Sequence, residues 1–187
     1  MAKDDKNAPE EEHDDQGASP KEQLLEACRG NNLELLHEIL ENTTTGLDAF
    51  LNDSRNSLGE TALHVCVKYG NYEILDTLLD QEGLEVDPLS RMEDETPLHF
   101  AARHTSEDKD VGAHMVDLLV EAGADPRLKN RGQQKPIDLV DPTCESAREH
   151  LTKAEAEIAR ENILRMEQPF DVDDDDEAGS GPASDSE

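Results

Sequence analysis

The chain has 187 residues, and its 46 acidic and 17 basic side chains give a formal net charge of −29. A field of this sign repels nucleic acid and anionic membranes and attracts basic partners. The alternative is that the acidity only keeps the protein soluble. No stretch approaches the ~20 apolar residues of a membrane span, and the N-terminus lacks the apolar core of a secretory signal. We therefore expect neither membrane binding nor direct nucleic-acid binding.

The first elements follow an acidic N-terminal tail. Residues 1–19 are polar, charged and without periodicity, which predicts a disordered segment. A first unit, about 20–52, places its leucines at helical spacing and predicts two helices that each bury one stripe. Asn31 lies between these helices, where a left-handed residue is needed. For the longer connection 42–58 we predict a short helical turn plus a loop.

The second and third units, about 53–88 and 89–126, share a repeated motif. The line Gly59–His64 returns as Asp94–His99, 35 residues later. In each copy a threonine, Thr61 or Thr96, precedes the helical residues as a capping residue. Proline in the third copy suits a first helical position, because that N–H has no partner in a helix anyway. Gly70 and Gly123 mark predicted helix ends. Each unit therefore predicts a helix-turn-helix.

The third unit is longer than the second between its two helices. Its surplus residues, Thr105–Val111, are mostly polar. Extra residues in a surface loop cost little conformational entropy. We therefore predict a polar loop here.

A shorter fourth unit and a long helix end the array. The fourth unit, about 127–155, keeps only a degraded motif at Lys135–Leu139. From Thr143 to about Met166 the chain is predicted to be helical, with an apolar stripe that covers the end of the array at Ala147, Leu151, Ala154 and Ile158. We assign 156–168 to an extension of this helix and 169–187 to a second disordered acidic tail.

The repeated motif, close to a ~33-residue period, resembles that of the ankyrin repeat family over roughly residues 21 to 155. The resemblance implies an all-α ankyrin repeat solenoid of about four helix-turn-helix units with disordered acidic tails. It also implies non-catalytic protein binding. The layout resembles small fungal ankyrin proteins that act as dedicated chaperones of ribosomal proteins or translation elongation factors. The alternative is an ankyrin-type regulator or inhibitor of a kinase, a transcription factor or proteasome assembly.

Candidate partner-binding residues follow from the same resemblance, because partners of ankyrin proteins usually meet the hairpin tips and the exposed side of the first helices. The hairpin positions are Ser57, Leu58, Glu60, Met92, Glu93, Glu95, Arg131 and Gln134. The helix positions are Arg29, Lys68, Tyr69, Arg103 and His104. The family's Thr-Pro-Leu-His histidine braces neighbouring hairpins by hydrogen bonds, which is the role implied for His64 and His99.

Basic residues recur at one position of successive units. Arg29, Lys68 and Arg103 are equivalent, and Arg131 extends them from the last hairpin; we call these four residues the cation row. Stacked repeats are predicted to align them about 10 Å apart. Our hypothesis is that the groove receives an acidic or carboxylate-bearing segment, from a partner or from the protein's own tail. The alternative is that these cations only relieve repulsion among many carboxylates.

Signals for chemistry are missing from the sequence. It contains no glycine-rich phosphate loop and no paired set of zinc ligands, so we expect neither an enzyme nor a bound cofactor or metal. Cys28, Cys66 and Cys144 have no framework spacing and lie among apolar residues. Free thiols in a reducing compartment follow from that pattern. We expect a monomeric, cytoplasmic protein, with the nucleus as a second compartment.

Overall fold

A computed structural model describes residues 18–43 and 45–167 of the chain. The predicted disordered tails lie outside these residues, except for Ala18 and Ser19. The described part is helical, with α1 (Pro20–Gly30), α2 (Leu33–Asn42), α3 (Leu47–Asp53), α4 (Ala62–Lys68), α5 (Tyr72–Leu79), α6 (Pro97–His104), α7 (Lys109–Glu121), α8 (Pro136–Leu139) and α9 (Glu145–Glu167). Within it, no helix combines the length and the apolar composition needed to cross a membrane.

The helices stack in two parallel layers. The first helices of the units pack in the order α1, α4, α6 and α8, and the second helices pack in the order α2, α5, α7 and α9. Between the layers lies one continuous core of buried side chains, including Leu24, Leu63, Leu75, Leu98 and Leu119. A single helix pair could not bury its apolar stripe alone, whereas stacking several pairs covers both faces of each inner unit. The predicted all-α repeat solenoid is confirmed.

The predicted helix boundaries rest on local backbone chemistry. Asn31, Gly70 and Gly123 all have positive φ, of 52°, 72° and 95°, and each follows the end of a helix. Pro97 occupies the first position of α6, as predicted. The short helix predicted between units one and two is α3, whose Leu51 is buried in the core.

Tight turns with a hairpin-like hydrogen bond precede α4, α6 and α8. The first turn is closed by a bond from the Asn56 N–H to the Glu60 carbonyl (2.9 Å), and equivalent bonds close the next two. Neighbouring turns are also tied together, because the Arg91 N–H donates to the Leu58 carbonyl (3.2 Å) and the Arg131 N–H donates to the Glu93 carbonyl (2.8 Å). The hairpin tips therefore form one connected edge of the array.

The surplus of the third unit is mostly helix, so the predicted loop Thr105–Val111 was wrong in its second half. Only Thr105–Asp108 lies between α6 and α7. Asp108 caps the new helix start, since its side chain accepts hydrogen bonds from the N–H groups of Asp110 and Val111 at 3.0 and 3.1 Å. The remaining residues lengthen α7 to 13 residues, against 8 in α5.

Gly112 allows this longer helix to pack on the turn before it. A Cβ at this buried position would lie 2.7 Å from the backbone nitrogen of Thr105 and 2.8 Å from its Cα. We expect Gly112→Ala to lower the free energy of unfolding by about 1–2 kcal/mol, because backbone atoms cannot yield as a flexible side chain can. Urea unfolding measures the effect. Gly30→Ala is the control, since nothing lies within 4 Å of its added Cβ. Equal stability of the two variants would contradict this packing.

The array ends in the long helix α9. Asp141 holds the turn before it through a bond from the Thr143 N–H (2.8 Å), so α9 begins at Glu145, two residues later than predicted. Ala147, Leu151 and Ala154 are buried as predicted. Ile163 and Leu164, near the end of the helix, are 56% and 62% exposed. α9 continues without a break through residue 156, where we placed the start of an extension.

Candidate protein-binding groove

A concave pocket opens between the hairpin tips that precede α4 and α6 and the exposed side of these two helices. Its volume is about 420 Å³. We call it the groove pocket. It is lined by Leu58, Glu60, Lys68, Ser90, Met92, Glu93, Glu95, Phe100, Arg103, His104 and Glu107.

The groove pocket gathers most of the predicted partner-binding residues. Those in its lining are Leu58, Glu60, Lys68, Met92, Glu93, Glu95, Arg103 and His104, whereas Arg29, Ser57, Tyr69, Arg131 and Gln134 lie outside it. Sequence reasoning missed Ser90, Phe100 and Glu107. Phe100 could have been found, because it precedes Arg103 and His104 by three and four residues and so shares their helix face.

Each inner unit sets a buried carboxylate beneath an exposed cation. Lys68 Nζ lies 3.0 Å from a carboxylate oxygen of Glu60, and the side chains are 43% and 8% exposed. Arg103 pairs in the same way with Glu95, whose side chain is 3% exposed. The carboxylates also accept amide hydrogen bonds, Glu60 from Asn56 at 2.7 Å and Glu95 from Asn130 at 3.2 Å. A buried carboxylate therefore holds each cation in position.

This geometry bears on two predictions about the groove. Glu60 and Glu95 were predicted to contact a partner, and they line the pocket, but they are buried and pair with Lys68 and Arg103. They hold these two cations in place, and their contact with a partner stays a prediction. The cation row was predicted to present positive charge. Each member is instead paired with a carboxylate, since Arg29 bonds Glu26 at 2.9 Å and Arg131 bonds Asp94 at 3.2 Å. The row is close to neutral, which removes the main support for an acidic ligand.

The predicted residues outside the groove pocket have their own surroundings. Tyr69 is 49% exposed, and the guanidinium of Arg29 lies 5.8 Å from the centre of its ring. Ser57 and Gln134 are exposed, as positions for partner contact require. Exposure alone does not test contact with a partner, so the role of these residues stays a prediction.

His64 and His99 brace neighbouring hairpins, as the resemblance implied. The Thr61 N–H donates to His64 Nδ1 (3.2 Å), so the proton of the ring is on Nε2, which donates to the Glu95 carbonyl (2.9 Å). His99 repeats the arrangement between the Thr96 N–H (3.2 Å) and the Gln134 carbonyl (3.1 Å). Each ring thus ties the start of one helix to the hairpin of the next unit.

Burial keeps both rings neutral. Loss of hydration lowers the pKa of His64 to about 4, and the bond to the Glu95 carbonyl opposes this shift only in part. The pKa of His99 is lowered for the same reason. A neutral imidazole can accept at one nitrogen and donate at the other, whereas the charged ring only donates. The brace therefore depends on the neutral ring.

Comparison with known proteins identifies the repeat. Residues 24–130 match the family model described as ankyrin repeats in three copies. The chain belongs to the ankyrin repeat family. Members of this family are typically non-catalytic modules for protein interaction. Across the described residues, no group of three or more histidine, cysteine or acidic side chains is placed to hold a metal ion.

Two known proteins resemble the chain over about 130 residues. The chain is 46% identical over 129 residues to the ankyrin repeat-containing protein YGL242C of Saccharomyces cerevisiae, a match spanning 67% of this chain and 71% of that protein. It is 30% identical over 133 residues to the nuclear factor NF-kappa-B p105 subunit of Mus musculus, spanning 67% of this chain and 13% of that protein. The first relative shares most of its length with this chain, whereas the second shares only a segment.

Proposed function

We propose that this ankyrin protein binds and escorts a basic, newly made client, such as a ribosomal protein or a translation elongation factor, without catalysis. The observation that carries the proposal is the charge balance of the groove. Its two cations are neutralised by Glu60 and Glu95, while Glu93 and Glu107 remain exposed in a chain of net charge −29. A basic surface is the chemical match for such a groove.

The acidic terminal segments of the chain also match a basic client in charge. Residues 171–177 contain six acidic side chains, and a client that normally binds RNA exposes basic surface before it is assembled. Acidic segments would screen that surface, while the groove holds one element of the client. The proposed compartment is the cytoplasm, with the nucleus as a second location.

We expect client binding to weaken steeply with salt. The affinity of the full chain for its client should fall about tenfold or more between about 50 and 300 mM NaCl, because exposed charges are screened beyond a Debye length. The client is first captured by affinity purification of the full chain and of a version ending at Gln168, with mass spectrometry. Capture of a dominant basic translation protein that fades without the tail is the expected result. Binding indifferent to salt would contradict the proposal.

A regulator of a transcription factor, a kinase or proteasome assembly is the second candidate. The similarity to the NF-kappa-B p105 subunit favours it, although the match covers only 13% of that protein. A regulator that recognises its partner by shape would bind as well without the tail. Recovery of such a partner by both versions of the chain would favour this function over the escort role.

A further inference from the structure

The groove pocket has an apolar mouth. Leu58 and Met92, from successive hairpins, are 42% and 59% exposed, and because both line the same pocket they belong to one apolar patch. The half-buried ring of Phe100 also forms part of the lining. The Phe100 ring is held edge-on against the His64 ring, with centres 5.0 Å apart, and the Arg103 guanidinium lies 6.0 Å from its centre. An apolar side chain entering the pocket would therefore meet a surface already in place.

Two exposed carboxylates of the lining lie on either side of α6 in the chain. Glu93 lies in the hairpin before α6 and Glu107 in the turn after it, and the helix between them is roughly 12 Å long. Within the described residues neither pairs with lysine or arginine, and Glu107 has only His104, at 3.8 Å. Because Lys68 and Arg103 form salt bridges with Glu60 and Glu95, the charges of Glu93 and Glu107 make the lining of the groove pocket negative overall.

We infer that the groove pocket takes one large apolar side chain of a protein partner, flanked by lysine or arginine residues on both sides. An extended chain rises about 3.3 Å per residue, so two basic residues four positions apart span about 13 Å, which is comparable to the length of the helix between the two carboxylates. The inference rests on the proposed function only in requiring a protein partner. It names the class of segment recognised, and it reverses the charge that the cation row first suggested.

The pocket has room for this occupant. About 420 Å³ falls within the roughly 300–1,000 Å³ of pockets that hold small ligands. An apolar anchor in a preformed pocket with a charged rim is a common arrangement at binding hot spots, where the rim contributes specificity and rate more than affinity. The anchor therefore gives affinity, and Glu93 and Glu107 select the sequence around it.

The test uses blocked synthetic peptides and the methyl resonances of methionine in the full chain. The peptide Lys-Gly-Phe-Gly-Lys is expected to shift the Met92 methyl in a saturable way and to leave the buried Met115 methyl unchanged. Replacing the phenylalanine by serine, or both lysines by glutamate, should weaken binding about tenfold or more. Equal binding of either replacement peptide, or shifts that do not include Met92, would overturn the inference.

Two matched double variants distinguish an effect of these two carboxylates from an effect of the net charge of the protein. Glu93→Lys with Glu107→Lys should weaken the basic peptide about tenfold, whereas Glu41→Lys with Glu121→Lys, both exposed and outside the pocket, changes the net charge equally and should not. The same loss in both double variants would overturn the inference. A Met92 shift that depends on protein concentration without peptide would also do so, because a second copy would then be the occupant. Failure to recover a basic client from cells would count against the escort role alone, since the peptide result does not depend on it.

Discussion

Replacement of Arg103 by alanine is expected to lower the free energy of unfolding by about 2–3 kcal/mol, although more than half of the arginine side chain is exposed. The reason lies beneath it. Glu95 is 2% exposed, and without Arg103 its charge keeps one side-chain hydrogen bond, from Asn130. A buried charge that loses its partner costs far more than the pair itself contributed. Urea unfolding of the variant measures the change.

A double-mutant cycle isolates this effect from lost packing. Glu95→Gln keeps an oxygen for the Asn130 amide and should cost about 1 kcal/mol. Arg103→Ala combined with Glu95→Gln should then be more stable than Arg103→Ala alone, because no buried charge remains to be orphaned. Arg29→Ala is the external control, since its partner Glu26 is well exposed and the loss should be below about 1 kcal/mol. Additive costs in the cycle would contradict the assignment.

This energetic asymmetry decides how the groove can be tested. Charge reversal at Lys68 and Arg103 would have been the natural test of an acidic ligand. It would also set a carboxylate over each of the buried Glu60 and Glu95 side chains. Lost binding would then report a damaged fold. Glu93 and Glu107 are exposed and can be reversed without that cost, which makes them the better probes.

The sequence predicted the repeat fold well, because each boundary depends on local chemistry. Asn31, Gly70 and Gly123 have the left-handed backbone expected at helix ends, and Pro97 begins its helix. The extra residues of unit three were misread as loop because polar composition does not reveal a capped helix start. Asp108 and Gly112 supply the cap and the close approach to Thr105, and only the tertiary structure shows the second.

The groove was harder to predict, because alignment of equivalent residues says nothing about what lies beneath them. Lys68 and Arg103 were placed correctly on one surface. Their partners were visible in principle, since Glu60 and Glu95 precede them by eight residues in both copies of the motif. That spacing links a hairpin to the last turn of the following helix, a contact that helical periodicity does not include. Repeated acid–base spacing between copies is therefore a signal worth reading alongside each row of equivalent residues.

Acidification below about pH 6.5 is expected to destabilise the protein, and His64 is the main cause. Its pKa is about 4 in the folded state, against an ordinary value of 6.5. Well above pH 6.5 the ring is neutral in both the folded and the unfolded state, so His64 does not lower the free energy of unfolding there. As the pH falls, the unfolded chain takes up a proton that the folded chain refuses, so about 2 kcal/mol is lost by pH 5 and about 3 kcal/mol by pH 4. Urea unfolding between pH 7 and pH 4.5 measures this loss.

The groups around His64 support this sign. Burial is the largest influence on its pKa, and the opposing effects of Glu60 and Glu95 are partly offset by Arg55. His99 adds a loss of the same sign, whereas the pKa values of Asp125 and Asp141 are lowered and their effects fall below this pH range. His64→Gln can still donate to the Glu95 carbonyl but cannot titrate, so its stability should vary less with pH and approach that of the natural chain near pH 4. If the free energy of unfolding depends on pH in the same way for both proteins, His64 is not the source of the acid sensitivity.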